Sequence, residues 1–343
     1  MKGSSHMSTI FDVAKAAGVS KSTVSRVLNG EDGVKEETRI AVEKAIKELK
    51  YSPSYFAQGI RTGRTKTIAM MVPEYTNIFY SEMFRGVEDV ALEYGYMVLV
   101  CNTERHANAE IEYTKELLKR KVDGIIYNTY SNSEAMLNYL KELSRQLPVV
   151  FTNKIFSEND DVAYVYTDGF KGNRRAVHYL HEHGRHKIGY IRNTSDISVI
   201  EERYEGYLQG LKDCGLPYRE EFVYRITQKK EPDYIKLGHE AAEYFIGLEE
   251  RPDAILAAID TLAIGCVQHL QKKGVRIPED MNIIGFDNIS LSEMIEPPLT
   301  TISQPIRRMG QKAAEIVIAK IEGRETEDHI VFDGELIVRE TTN

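Results

Sequence analysis

The chain has 343 residues, 42% of them hydrophobic, which is enough for more than one buried core. Three cysteines, Cys101, Cys214 and Cys266, are too few and too scattered for a disulfide framework or a zinc site, and no apolar run approaches a membrane span, so composition points to the cytoplasm. The net charge of −8 is unevenly divided: residues 1–66 hold 12 Lys or Arg against 7 Asp or Glu, and the remainder 32 against 45, a basic end suited to a polyanion and an acidic body that repels one.

Residues 1–6 have neither an apolar stretch nor periodicity and read as an expression leader outside the fold. From 9 to 29, TIFDVAKAAGVSKSTVSRVLN predicts two short helices meeting at a Gly-Val-Ser corner, the form of a helix-turn-helix. Thr9 caps the first helix, Asp12 favours its N-terminus, and Ile10, Val13, Ala14 and Ala17 share one face. Gly18 ends it. Ser20 caps the second, in which Val24, Val27 and Leu28 point inward and Lys21, Ser22, Ser25 and Arg26 outward. Such an outward face suits the major groove, because lysine and arginine donate to guanine O6 and N7 and short hydroxyls serve base edges or phosphates. The run VKEETRIAVEKAIKELKY supplies a third helix, with Val42, Ala45, Ile46 and Leu49 on one side. After it, YSPSYFAQGIRTGRTKT reads as a linker with a weak helix at SYFAQGI, since Gly59 costs about 1 kcal/mol relative to alanine in a helix interior.

From Thr67 onward, apolar runs alternate with amphipathic ones of helix length. TIAMMVP, a helix at 79–95, MVLVCN, a helix at 108–120 and DGIIYN lead to LPVVFTN. A helix at 169–183 follows, then KIGYIR, a helix at 201–214, FVYRI, a helix at 236–248, AILAAI, a helix at 261–273 and MNIIGFD. This alternation predicts parallel sheets covered by helices on both faces, and the length requires two of them. Small ligands then belong at the carboxyl ends of the strands. His178, His181, His183 and His186 have no acidic or cysteine partner at a metal-binding spacing, so no metal site is predicted. A Gly-rich phosphate loop, a Gly-x-Ser-x-Gly elbow and a His-Glu-x-x-His pair are all missing from the sequence, and nothing nominates a catalytic nucleophile; the chain does not read as an enzyme.

Several of these strings, in this order, carry a resemblance. TIFDVAKAAGVSKSTVSRVLN, YSPS, AQGI, NIFYSEMFRGVEDVALEYGY, KVDGII, ERYEGY, IIGFDN and PPLTTISQP are similar to motifs of the lactose-repressor/galactose-repressor (LacI/GalR) family of bacterial transcription regulators. The resemblance implies a multi-domain chain: an all-α helix-turn-helix headpiece at 7–52, a hinge helix and linker at 53–66, and an α/β periplasmic-binding-protein-like core. The core divides into two parallel-sheet subdomains, 67–166 with 297–326 and 167–296 with 327–343, joined by crossovers that include one near Tyr166 and one near Pro297. It also implies a repressor that binds a pseudo-palindromic operator in double-stranded DNA as a homodimer, under the control of a small, sugar-like effector. The chain ends at Asn343 just after the strand-like ELIVRETT, without leucine heptads, so a dimer rather than a tetramer is expected.

By the same resemblance, DNA contacts are expected from Thr9, Ser20, Lys21, Ser22, Thr23, Ser25, Arg26 and Asn29. Ala57, Gln58 and Ile60 in the hinge join them, with Ile60 as an aliphatic wedge in the central minor-groove step. Asn128, Asp168, Arg203, Asp287 and Gln304 fall at polar effector positions, and Phe79 and Tyr80 at aromatic ones. Asp260 fits one half of the family's Asn-Asp pair, but Ile259 stands where the polar partner is usual. The arginine of ERYEGY favours a small-molecule effector over a phosphoprotein co-repressor. A solute-binding protein for transport would account for the core alone, not for residues 9–66.

Overall fold

A computed structural model describes residues 8–28, 32–51, 64–129, 131, 133–155, 161–193, 198–227 and 233–343. The chain forms two compact units, Met1–Thr65 and Lys66–Asn343.

The first unit contains α1 (Ile10–Ala16), α2 (Lys21–Leu28) and α3 (Glu36–Glu48). Thr9 and Asp12 form a reciprocal capping box: the Thr9 amide donates to the Asp12 carboxylate at 2.8 Å, and the Asp12 amide donates to Thr9 Oγ1 at 3.4 Å. Gly18 takes φ +67°, a conformation that a side chain would oppose, and so lets the chain turn between α1 and α2. Val13, Ala14, Val24, Val27, Val42 and Ala45 are buried together, one pair from each helix.

The second unit holds two six-stranded sheets. Its elements in chain order are β1 (Thr67–Val72), α4 (Ile78–Glu93), β2 (Met97–Asn102), α5 (Ala107–Lys119), β3 (Gly124–Tyr127), α6 (Glu134–Gln146), β4 (Val149–Phe151) and β5 (Ala163–Asp168). Then come α7 (Gly169–Glu182), β6 (Ile188–Asn193), α8 (Ser198–Asp213), a short 3-10 turn, β7 (Val223–Ile226), α9 (Tyr234–Ile246), β8 (Ala254–Ala257), α10 (Asp260–Lys272) and β9 (Asn282–Asp287). The last are α11 (Leu291–Met294), β10 (Thr300–Ser303), α12 (Ile306–Glu322), β11 (His329–Asp333) and β12 (Glu335–Ile337). The first sheet runs β2-β1-β3-β4-β5-β11, all parallel; the second runs β7-β6-β8-β9-β10-β12, parallel except for β12.

The two-residue period of a strand puts each sheet between helices. Ile68, Met70 and Val72 of β1 are buried with Met83 and Val87 of α4 and Val317 of α12, while Ala69 and Met71 are buried with Leu117 of α5 and Leu140 of α6. Helices α4 and α12 approach closely because of Gly86, where a Cβ would stand 2.0 Å from the Arg307 carbonyl oxygen.

The chain crosses between the lobes at 168–169, 303–306 and 333–335. This corrects the division expected from sequence at two points. Thr300–Ser303 pairs with β9, so residues 297–303 belong to the second lobe, and His329–Asp333 pairs with β5, so residues 327–333 belong to the first. The crossover placed near Pro297 lies instead at 304–305, where Gln304 and Pro305 follow β10. β5, β10 and β11 were not among the apolar runs of the sequence. β10 is four residues of which three are Thr or Ser, and β11 alternates exposed and half-buried positions along a sheet edge.

Candidate functional site

In the first unit, the N-terminus of α2 gathers hydroxyls: Ser20 Oγ accepts the Thr23 amide at 3.1 Å and lies 2.7 Å from Ser22 Oγ and 2.9 Å from Thr23 Oγ1. Lys21, Ser22 and Arg26 are exposed, and Thr23 and Ser25 half-buried, so the helix presents a polar stripe opposite Val24 and Val27. Lys21 Nζ stands 4.8 Å over the ring of Phe11, an exposed aromatic that sequence reasoning passed over. Arg26 Nη2 donates to the Asp32 carbonyl at 3.0 Å, which braces the loop beyond α2 and orients the guanidinium. Thr9 is exposed and occupied by its capping box. Asn29, Ala57, Gln58 and Ile60 lie outside the described residues.

In the second unit a cleft opens between the lobes at the carboxyl ends of both sheets, with about 710 Å³ of empty space that includes the open solvent at its mouth. Six of the expected effector residues meet on its walls: Phe79, Tyr80, Asn128, Arg203, Asp287 and Gln304. In the first lobe, the Tyr80 hydroxyl donates to Asn128 Oδ1 at 3.3 Å, and Asn128 Nδ2 donates to Thr152 Oγ1 at 2.9 Å. Phe79 packs edge-on to Tyr80, with ring centroids 5.1 Å apart. Asn153 donates through Nδ2 to the Thr129 carbonyl at 3.0 Å, which leaves its buried Oδ1 with no hydrogen-bond partner. An acceptor held in that way fits a ligand donor. Thr129 is fixed from behind by the fully buried Glu110, which accepts its hydroxyl at 2.6 Å.

From the second lobe, Arg203 Nη1 donates to the Ala258 carbonyl at 2.6 Å, Nη2 pairs with Asp287 Oδ1 at 3.5 Å, and the guanidinium lies 3.7 Å from the Phe286 ring centroid. Gln304, from the second crossover, donates to the same Asp287 oxygen at 2.6 Å. Asp287 occupies φ +125°, a strained conformation for a residue with a side chain, at the strand end where the ion pair forms. Burial pushes its carboxyl up to about 7; Arg203 and the bond from Gln304 oppose the rise and nearby Asp260 adds to it.

Two expected residues are not on the cleft wall. Asp260, fully buried, turns into the second lobe, where it accepts the Ile289 amide at 2.9 Å, Ser292 Oγ at 2.7 Å and Thr301 Oγ1 at 2.5 Å. It is a structural anchor for the 289–301 segment, and burial raises its pKa against those three bonds. Asp168 caps α7, accepting the Lys171 amide at 2.9 Å; Lys171 Nζ lies 3.3 Å from both Asp168 and Asp333, neighbours at the ends of β5 and β11. Sequence reasoning missed Asn77, Thr152, Asn153, Tyr166, Thr167, Asn193, Val199, Ile200, Tyr234 and Met309, all of which line the cleft. Asn153 and Asn193 do follow or end strands, a signal that was available.

Residues 65–337 match the family model described as periplasmic binding proteins and sugar binding domain of LacI family, and residues 9–54 match bacterial regulatory proteins, lacI family. The chain belongs to the LacI family. Among LacI-family relatives, it is 36% identical to the HTH-type transcriptional repressor PurR of Vibrio atlanticus, over 98% of each chain. It is 34% identical to the HTH-type transcriptional regulator RegA of Clostridium saccharobutylicum, over 97% of this chain and 99% of the other. The solved structure of the transcriptional regulator CelR in complex with cellobiose superposes with a TM-score of 0.72 at 30% identity, covering 97% of this chain and 99% of that one. A lac repressor dimer bound to operator and the anti-inducer ONPF shares the fold, with a TM-score of 0.86 at 24% identity over 98% and 99% of the two chains. As a LacI-family member the protein is a DNA-binding transcriptional regulator of the repressor type. Among the described residues no helix is long and apolar enough to cross a membrane.

Proposed function

We propose that this protein represses transcription from the cytoplasm as a homodimer on a pseudo-palindromic operator, that a sugar-like effector in the inter-lobe cleft controls it, and that it catalyses no reaction. The observation that carries the effector reading is the corner where Arg203, Asp287 and Gln304 meet a ladder of hydroxyl and amide groups on the opposite wall. A polyhydroxylated ligand needs paired donors and acceptors for each buried hydroxyl and an aromatic or apolar surface for its C–H face, and the cleft supplies both. Gln304 lies in a crossover, so a ligand that pulls on the Asp287 corner acts on the joint between lobes and shifts the population of DNA-competent molecules.

Operator selection from randomised duplexes, followed by titration of the complex with candidate effectors, tests the whole reading. Loss of binding on effector addition marks an inducer, and gain marks a co-repressor. A protein that selects no palindrome, or whose DNA affinity no small molecule changes, is not this kind of regulator. Within that assay, Arg26→Ala should cost about 1–3 kcal/mol on the selected operator and relax one base position, with a smaller loss on random DNA. Ile60→Gly should abolish operator bending read by fluorescence transfer.

A further inference from the structure

One part of the cleft wall contributed by the second lobe is unlike the wall it faces; the rest includes Asn193, whose Nδ2 donates to the Tyr234 hydroxyl. Val199 and Ile200 stand four and three residues ahead of Arg203 on α8 and share its face, and Ile259 follows directly on Ala258, whose carbonyl accepts Arg203 Nη1. All three apolar side chains line the cleft, and Val199 and Ile259 are only half-buried. Arg203 and Asp287 beside them are committed to each other, to Ala258 and to Gln304. A ligand hydroxyl laid against this patch gives up water without gaining a partner, whereas a methyl group gains burial.

A second observation singles out Ile259. It is the N-cap residue of α10, with extended φ −148° and ψ 156°, and provides no side-chain cap for the helix. Asn, Asp, Ser and Thr are favoured at such a position and isoleucine is among the poorest choices. A local rule broken beside a ligand cavity marks a residue kept for what it does to the ligand.

We propose that the cleft selects a neutral sugar bearing an apolar group, either a ring methyl in place of a hydroxymethyl or an alkyl aglycone, and that Ile259 is the residue that sets this preference. The inference rests on the effector reading of the cleft. Hydroxyls at the other end of such a ligand face Asn128, Thr152 and the unpartnered oxygen of Asn153. A phosphorylated sugar is disfavoured, because Arg203, the cation among the described lining residues, is already engaged by the Ala258 carbonyl and Asp287.

The full-length protein is titrated by calorimetry with three matched pairs: L-fucose and L-galactose, L-rhamnose and L-mannose, D-quinovose and D-glucose. Methyl glycosides against their parent sugars, D-glucose 6-phosphate and hypoxanthine complete the panel. In at least one pair the deoxy or methylated member should bind about tenfold tighter or more. Preference confined to the deoxy sugars assigns the apolar group to the ring, and preference confined to the methyl glycosides assigns it to the aglycone. Ile259→Asn should bring the ratio within about twofold while raising the melting temperature, since asparagine restores the missing cap. Sugars that bind without this preference, a tighter phosphate ester, or an unchanged ratio in the variant overturn the inference and leave the sugar reading standing. No response to any sugar, with or without binding of hypoxanthine, removes both.

Discussion

The two lobes follow the same strand order, in which each first strand lies between the second and the third, yet they meet the cleft with different chemistry. The first lobe brings hydroxyls and amides: Tyr80 bonded to Asn128, Asn128 to Thr152, and Asn153 with a free acceptor. The second brings one buried ion pair, Arg203 with Asp287, set among Val199, Ile200 and Ile259, together with Asn193, whose Nδ2 donates to the Tyr234 hydroxyl at 3.4 Å. The support behind the two walls differs as well. Glu110 accepts the hydroxyls of Thr129 and Tyr127 behind the first-lobe wall, whereas Asp260 takes a backbone amide, that of Ile289, as well as the hydroxyls of Ser292 and Thr301 behind the second. A common fold therefore fixes where a ligand sits, while the residues at the strand ends decide what it is.

The most damaging way to break the contrast is through its hidden anchor. Asp260→Ala strands the Ile289 amide, Ser292 Oγ and Thr301 Oγ1 in the second-lobe core, and should lower stability by about 3–5 kcal/mol in urea denaturation. A loss below about 1 kcal/mol would show that the 289–301 segment does not depend on it. Next in size is the ion pair itself. Arg203→Ala should weaken the effector found by screening by about 1.5–3 kcal/mol, roughly ten- to a hundredfold, in calorimetry. Unchanged affinity would leave Arg203 a structural role, through its bonds to Ala258 and Asp287 and its packing on Phe286.

A third test sharpens the comparison by titration. The folded pKa of Asp287 lies at about 7, above the ordinary value of 3.8, so the folded state holds a proton there that the unfolded chain has released. The stability contributed by the neutral carboxyl is complete below pH 4 and is lost as pH rises through about 7, with a slope of at most about 1.4 kcal/mol per pH unit. Asp287→Asn should remove that slope from denaturation curves taken between pH 5 and 8, and identical slopes would reject the shift. The smallest effect is expected outside both lobes. Thr9→Ala deletes one half of the capping box with Asp12 and should cost the helical unit about 1 kcal/mol, measured by its thermal melting.

The periodic parts of the fold were legible. Alternating apolar and amphipathic runs located β1 to β4, β6 to β9 and most of the helices between them; β1, β3, β8 and β9 are buried on both faces and read as unbroken hydrophobic stretches, and β2 and β7, though more exposed, still read as short apolar runs. The strands beside the crossovers were not legible, and the lobe boundaries suffered: Thr300–Ser303 hides its burial in threonines, Thr300 bonding to Thr341 and Thr342 and Thr301 to Asp260. At the cleft, Arg203, Asp287 and Gln304 could be named from motif matches. Asp260 shows how that reasoning ends. A carboxylate at a helix start is visible in the sequence, but the direction it faces depends on Gly285, where a Cβ would stand 2.2 Å from Asp260 Oδ1. Asn153 does not stand out in the sequence because asparagine after a strand is also a common turn residue.

The order of the strands along the chain has a consequence for biosynthesis. The sixth strand of the first sheet is His329–Asp333, which pairs with Ala163–Asp168 more than 160 residues earlier, and α12, which covers the same sheet, begins only at Ile306. The first lobe therefore emerges from the ribosome early but cannot close until nearly the whole of the second has been made. Until then its β5 edge and the face of α4 that receives Gly310 stay open. No single cut in the gene can release either lobe intact, and an interrupted translation product ending anywhere in the second lobe leaves a protein with an unfinished sheet.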